Sequence, residues 1–172
     1  MTTIPSKADT YAVLIVEDDV AQRTTLVDML VAEEFDAVPF ENAESALERL
    51  STQDFVAAII DQRLPDMPGT DLLQRIREMS PETRVIIHTG FGSFESARDA
   101  VNRGAFAYIE KLADPASLIT YVHRAVQTRI AAQLHESEER FREVMQSIHD
   151  VVWAIDVHTR QTIYVNEAVE TL

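Results

Sequence analysis

Residues 11–128 predict an α/β fold built on a doubly wound, parallel, five-stranded sheet. Three observations support this. Short apolar runs alternate with amphipathic stretches at helical spacing, which is the pattern of repeated strand–helix units. Two of the runs, YAVLIV at 11–16 and FVAAII at 55–60, are apolar without alternation, as in strands covered on both faces. Breaker residues punctuate the units, at LPDMPG (64–69), Ser80-Pro81 and Gly104.

The elements follow in order. The strand at 11–16 leads into a helix over 20–34, with Leu26, Met29 and Leu30 at helical spacing. A short strand covers 36–40 and a short helix 43–50. The strand at 55–60 ends at Asp61, and LPDMPG at 64–69 is a loop. The helix over 70–79 is stopped by Ser80-Pro81. A strand covers 84–88, then a helix 96–103 that Gly104 terminates. The last strand is 107–110. Asp114 and Pro115 make an N-cap and first-turn pair for the next helix.

That helix has no Gly or Pro to end it and is expected to reach about residue 148. Ile119, Val122, Val126, Ile130, Gln133, Ser137, Phe141, Val144 and Ile148 approximate a heptad seam. Two readings follow: a coiled coil over 129–149 that forms a homodimer and transmits a signal, or an amphipathic helix lying on its own domain. Beyond it, 151–156 and 162–166 are rich in β-branched and aromatic residues and read as strands joined by a turn at HTRQ. Residues 167–172 begin a helix. The tail at 150–172 is too short for a core of its own. Residues 1–10 read as a flexible arm without the apolar stretch of a signal peptide.

The chain has 172 residues and a formal net charge of −14. Such a field repels polyanions, so neither nucleic acid nor an anionic membrane is an expected partner of this segment. Cys is absent, which removes disulfides and fits a cytoplasmic location.

In a doubly wound sheet the ligand site lies outside the carboxyl ends of the strands. Here those ends are Glu17-Asp18-Asp19, Asp61, His88-Thr89 and Glu110-Lys111. Several carboxylates, a hydroxyl and an ammonium should therefore share one pocket. Carboxylates ~4 Å apart repel by about 4 kcal/mol per pair at an effective dielectric of 20. A cation must sit among them, and oxygen ligands suit Mg²⁺ or Mn²⁺. Such a site attracts phosphate and suits phosphoryl transfer to a carboxylate.

LIVEDD (14–19), IIDQRLPDMPG (59–69), HTG (88–90) and GAFAYIEK (104–111), with the intervals between them, resemble the response-regulator receiver domain of bacterial two-component systems. The resemblance covers about residues 11–128. It implies a flavodoxin-like fold with strand order 2-1-3-4-5. It also implies roles. Asp61 is the phosphoacceptor. Asp18, Asp61 and the backbone carbonyl of Arg63 ligate Mg²⁺, with Glu17 acting through a metal-bound water. Lys111 pairs with Asp61 and then with the phosphoryl group. Thr89 donates its hydroxyl to a phosphoryl oxygen, and Tyr108 is an aromatic switch that follows it. The donor is a histidine kinase or a histidine phosphotransfer protein.

Among the three acids after the first strand, Glu17-Asp18 is chosen over Asp18-Asp19 because the apolar run ends at Val16; Asp19 is then the helix N-cap. His88 reads as structural, near the sheet edge. The Arg63 side chain should point over the site and tune the lifetime of the phosphoryl group. One departure from the family is Leu112, where many receivers have proline after the lysine; the peptide bond is expected to be trans. His135-Glu136 lacks the residues that would follow in a kinase phosphohistidine box.

The segment 137–172 resembles the beginning of a PAS domain, of which only about a third is present. It is expected to bind no cofactor, and its strand edges to pair with a second chain or to be disordered. On this reading the chain is a fragment of a longer signalling protein. The receiver catalyses its own phosphorylation and dephosphorylation and has no outside substrate. Two other readings stay open. One is an acidic-site phosphohydrolase, against which Arg63 stands where such enzymes carry a second Asp. The other is a dimerising scaffold that is never phosphorylated.

Overall fold

A computed structural model describes residues 11–90 and 94–147 together with the strands at 153–155 and 162–165. The expected arm at 1–10, the turn at 158–161 and the helix expected from 167 lie outside the described residues. Contacts divide the chain into two compact units, Met1–Arg129 and Ile130–Leu172.

The first unit holds five strands: β1 (Ala12–Val16), β2 (Asp36–Phe40), β3 (Ala57–Ile60), β4 (Arg84–Thr89) and β5 (Ala107–Glu110). They form one parallel sheet in the order β2-β1-β3-β4-β5. This is the expected flavodoxin-like order. The helices between them are α1 (Val20–Ala32), α2 (Ala43–Leu50), α3 (Gly69–Met79), α4 (Phe94–Asn102) and α5 (Pro115–Ser147).

Two apolar layers sandwich the sheet. One joins Val13, Ile15 and Ile59 to Leu26 and Leu30 of α1 and to Leu118, Val122 and Ala125 of α5. The other joins Leu14, Val16, Ala58, Ile60 and Ile87 to residues of α2, α3 and α4, including Ala46, Leu72, Ile76 and Ala100. All four residues of β3 are buried, which explains why its sequence shows no alternation.

Boundaries differ from the sequence reading where backbone chemistry intervenes. Helix α1 stops at Ala32 rather than 34 because Glu34 takes a left-handed conformation at φ 64°. Strand β3 starts at Ala57. Phe55 and Val56 are buried just before it; the Val56 amide donates to the Ala12 carbonyl and the Val56 carbonyl accepts from the Arg84 amide, while the Phe55 carbonyl accepts from the Thr83 hydroxyl. Gly104 ends α4 at φ 89°, a conformation that favours glycine. Asp114 caps α5 by accepting from the Ala116 amide at 3.0 Å.

The seam proposed along α5 is corrected by burial. Val122 is fully buried, and Ile119 and Val126 pack against the same core, so this stretch belongs to the receiver's own interior. From Ile130 to Val144 the helix is exposed. Its large apolar residues there are Ile130, Leu134, Phe141 and Val144, at heptad spacing. Leu134 therefore replaces Gln133 in the row.

In the second unit, β6 (Trp153–Ile155) and β7 (Thr162–Val165) pair antiparallel with a register shift between Ala154 and Ile155. Among the described residues, no helix is long and apolar enough to cross a membrane.

Candidate phosphoacceptor site

The strand ends are aligned by backbone bonds that continue each ladder past its strand. The Glu17 amide donates to the Phe40 carbonyl at 3.0 Å, Asp61 to Val16 at 2.9 Å, and Lys111 to Thr89 at 2.8 Å. The site residues are thus extensions of the sheet rather than members of free loops, which holds them to the rigidity of the core.

At that edge, carboxylate oxygens of Glu17, Asp18 and Asp61 lie within 4.8 Å of one another. Lys111 Nζ donates to Asp61 Oδ2 and to Glu17 Oε2, both at 2.7 Å. The Arg63 amide donates to Asp61 Oδ1 at 3.3 Å. Glu17, Asp18, Asp19, Gln22, Asp61, Arg63, Gly90 and Lys111 line a cleft of about 290 Å³. Asp18 is exposed, Asp61 is 9% exposed and Glu17 only 1%. The Glu17–Lys111 pair was not foreseen. The sequence reading gave Lys111 to Asp61 and left Glu17 to a metal-bound water.

Burial pushes the Glu17 carboxyl above its ordinary value, against the lowering effect of Lys111. For Lys111, burial alone would lower the pKa, but its bonds to Asp61 and Glu17 outweigh it and raise the value. Lys111 thus stays charged at neutral pH. Its stabilising contribution is present below 10.5 and is lost as pH rises through the higher folded value. Glu17 Oε1 is buried with no hydrogen-bond partner among the described residues. An orphaned carboxylate oxygen beside two further carboxylates is a donor set that fits a hard divalent cation. Asp18, Asp61 and Arg63 line the same cleft.

The β3–α3 loop is packed tightly enough to exclude side chains. A Cβ on Gly69 would lie 2.3 Å from the Asp61 carbonyl oxygen. Asp66, which the sequence marked only as loop, ties this loop to α2, accepting from the Ala43 amide at 3.1 Å and the Glu44 amide at 2.9 Å. Burial raises its pKa, but these amides and those of Asp66 and Met67 outweigh burial and hold it below the usual carboxylate value. Asp19 caps α1 through the Gln22 amide at 2.8 Å, as expected.

Thr89 departs from the expected arrangement. It is 1% exposed and is not among the residues lining the acidic cleft. Strand alternation puts Gly90 on the cleft side and Thr89 on the face of Ile87, which belongs to the α2–α4 layer. Tyr108 shares that face, and its hydroxyl lies 2.9 Å from Ser96 Oγ of α4. Ser96 was not singled out in the sequence; nothing local marks a helix serine as a partner of a residue twelve positions away.

His88 sits on β4, one strand in from the β5 edge, and lines a second cavity of about 510 Å³ between α1 and the β5–α5 loop. Burial first, then the Lys111 charge, push its pKa down to about 4, so the ring is neutral at neutral pH. No cis peptide occurs among the described residues, so Lys111–Leu112 is trans as expected.

A parallel 2-1-3-4-5 sheet with an acidic triad and a lysine at its carboxyl edge defines the class of receiver domains. The comparisons agree. The description "Response regulator receiver domain" matches residues 13–123. The chain belongs to this family.

The response regulator protein FleR of Pseudomonas aeruginosa is 35% identical over 127 residues, 74% of this chain and 26% of that protein. The DNA-binding transcriptional regulator NtrC of Proteus hauseri is 30% identical over 141 residues, 81% of this chain and 29% of that protein. The chain thus spans between a quarter and a third of the length of these relatives. The receiver domain of a putative LuxO repressor protein from Vibrio parahaemolyticus superposes with a TM-score of 0.70 at 28% identity, covering 74% of this chain and 98% of that one. A CheY-like receiver domain from Methanospirillum hungatei gives 0.68 at 29% identity, covering 72% and 99%. The relatives include a DNA-binding transcriptional regulator, so the expected absence of a nucleic-acid partner is not supported.

The raised Glu17 pKa has a definite consequence. Its contribution to stability is full below 4.5 and is lost as pH rises through the higher folded value. In metal-free buffer, the stability of the native chain relative to Glu17→Gln should therefore decline from about pH 4 to pH 7. Urea unfolding across that range in EDTA measures it; a difference that grows with pH would contradict the assignment.

Proposed function

We propose that this chain is a phosphoaspartate switch of a two-component system, charged on Asp61 by a histidine kinase or a histidine phosphotransfer protein. The observation that carries this reading is Lys111 Nζ bonded to Asp61 at the centre of three converging carboxylates. Asp18, Asp61 and the Arg63 carbonyl would hold Mg²⁺ or Mn²⁺, with Glu17 behind a water. When bound, such an ion neutralises charge on the transferring phosphoryl oxygens.

The chain's own residues do the rest. An Asp61 carboxylate oxygen attacks the phosphorus of phosphohistidine. The P–O bond of an acyl phosphate forms, the P–N bond breaks, and the bonding pair returns to the donor imidazole. Lys111 exchanges its bond to Asp61 for one to a phosphoryl oxygen. Thr89 turns its hydroxyl toward the phosphoryl group, and Tyr108 leaves Ser96 for the space this opens. The surface of α4, β5 and α5 changes as a result. Hydrolysis of the acyl phosphate by water resets the switch, and no outside substrate is consumed.

Helix α5 relays the change to the segment from 150, read as the start of a PAS domain. The antiparallel β6–β7 pair supports that reading. A cytoplasmic location is part of the same proposal and rests on the absence of Cys.

Radiolabelled acetyl phosphate tests the switch. The chain should take up label in Mg²⁺ and lose that capacity in EDTA, and Asp61→Asn should stay at background. Undiminished labelling of Asp61→Asn would refute the acceptor assignment. Steady turnover of a small phosphomonoester would favour a phosphohydrolase, and absence of label from acetyl phosphate a scaffold.

The exposed heptad row of α5 supports pairing with a second copy of this chain. Sedimentation should then report a dimer that Ile130→Glu with Leu134→Glu converts to a monomer. A native chain that sediments as a monomer would remove the dimer from the account.

A further inference from the structure

Arg23 stands in α1, outside the residues that line the acidic cleft. Its Nη1 donates to the carbonyl oxygen of Glu17 at 2.5 Å and to that of Asp18 at 3.1 Å. Its backbone amide donates to the Asp19 carbonyl at 2.9 Å. Three successive carbonyls thus accept from one residue. Glu17 and Asp18 form the whole link between the last residue of β1, Val16, and the N-cap Asp19. The Glu17 amide is held by Phe40, while the carbonyls of the link are held by the Arg23 side chain.

The two cations of this region act on different atoms. Lys111 meets the carboxylates of Glu17 and Asp61 inside the cleft. Arg23 meets the backbone carbonyls of Glu17 and Asp18. Its guanidinium is permanently charged and planar, suited to bonding adjacent carbonyls at once.

We propose that Arg23 is a positioning residue for the divalent-cation site: it fixes the backbone of Glu17 and Asp18 so that their carboxylates converge on Asp61 before any ion arrives. The proposal rests on reading the cleft as a Mg²⁺ site. Two effects of Arg23 oppose each other, which makes the sign informative. As a nearby positive charge it repels Mg²⁺, so its removal would tighten binding by Coulomb's law alone. As a positioning group it spares the ion the cost of ordering the link, so its removal weakens binding.

Isothermal titration of Mg²⁺ into the full chain at fixed ionic strength decides between them, at a temperature where circular dichroism shows each variant folded. Arg23→Ala should bind about tenfold more weakly, or about 1.4 kcal/mol. Arg23→Lys, which keeps the charge and a donor, should recover most of that loss. Thr24→Ala, next to it on α1, should match the native chain. Should Arg23→Ala fail to fold, Arg23→Gln is expected to show the same direction of loss. A neutral Arg23 variant that binds Mg²⁺ as tightly as the native chain, or more tightly, overturns the positioning role and leaves the Mg²⁺ site standing. A native chain that takes up no Mg²⁺ overturns both.

Discussion

The arrangement of this domain turns on one electrostatic problem: three carboxylates held within 4.8 Å of one another at the carboxyl edge of the sheet. Like charges at such distances cost several kcal/mol unless a cation answers them. Lys111 answers two, at 2.7 Å each. The raised Glu17 pKa shows that one lysine does not fully compensate a carboxylate with 1% exposure. On the proposed function, the residual negative charge in this small cleft would draw in a divalent ion and, through it, phosphate.

The rigidity of the site comes from backbone continuity. Glu17, Asp61 and Lys111 each follow directly from a strand and donate their amides to the neighbouring one or its extension. Gly69 lets the β3–α3 loop fold against the Asp61 carbonyl, and Asp66 anchors the far side of that loop to α2. Tyr108 packs on the α2–α4 layer, where its hydroxyl lies 2.9 Å from Ser96 Oγ, and strand alternation puts Thr89 on the same face as Ile87. Thr89 ends β4 and Gly90, which lines the cleft, follows it directly.

The fold was legible because its signals are local. Unbroken apolar runs such as FVAAII mark doubly covered strands, and the strand-end rule then brings Glu17, Asp18, Asp61 and Lys111 together. What escaped is non-local. The bonds of Asp66 to α2 and of Ser96 to Tyr108 join residues far apart in sequence, and no periodicity predicts them. Arg23 escaped because no local pattern shows that its side chain folds back onto the link before α1. The α5 seam was misread in its first part because a helix packed on a sheet and a helix in a coiled coil show the same apolar spacing; only the burial of Val122 against the exposure of Leu134 separates them.

The central claim is that these side chains gather one divalent ion around Asp61 and pass a phosphoryl group to it. A crystal structure of the chain with Mg²⁺ and beryllofluoride tests this most directly. The account predicts beryllium bonded to an Asp61 carboxylate oxygen, the ion ligated by Asp18, Asp61 and the Arg63 carbonyl, and Lys111 and Thr89 both contacting fluorine. An ion outside the Glu17–Asp18–Asp61 cluster, or beryllium on any other residue, would contradict it.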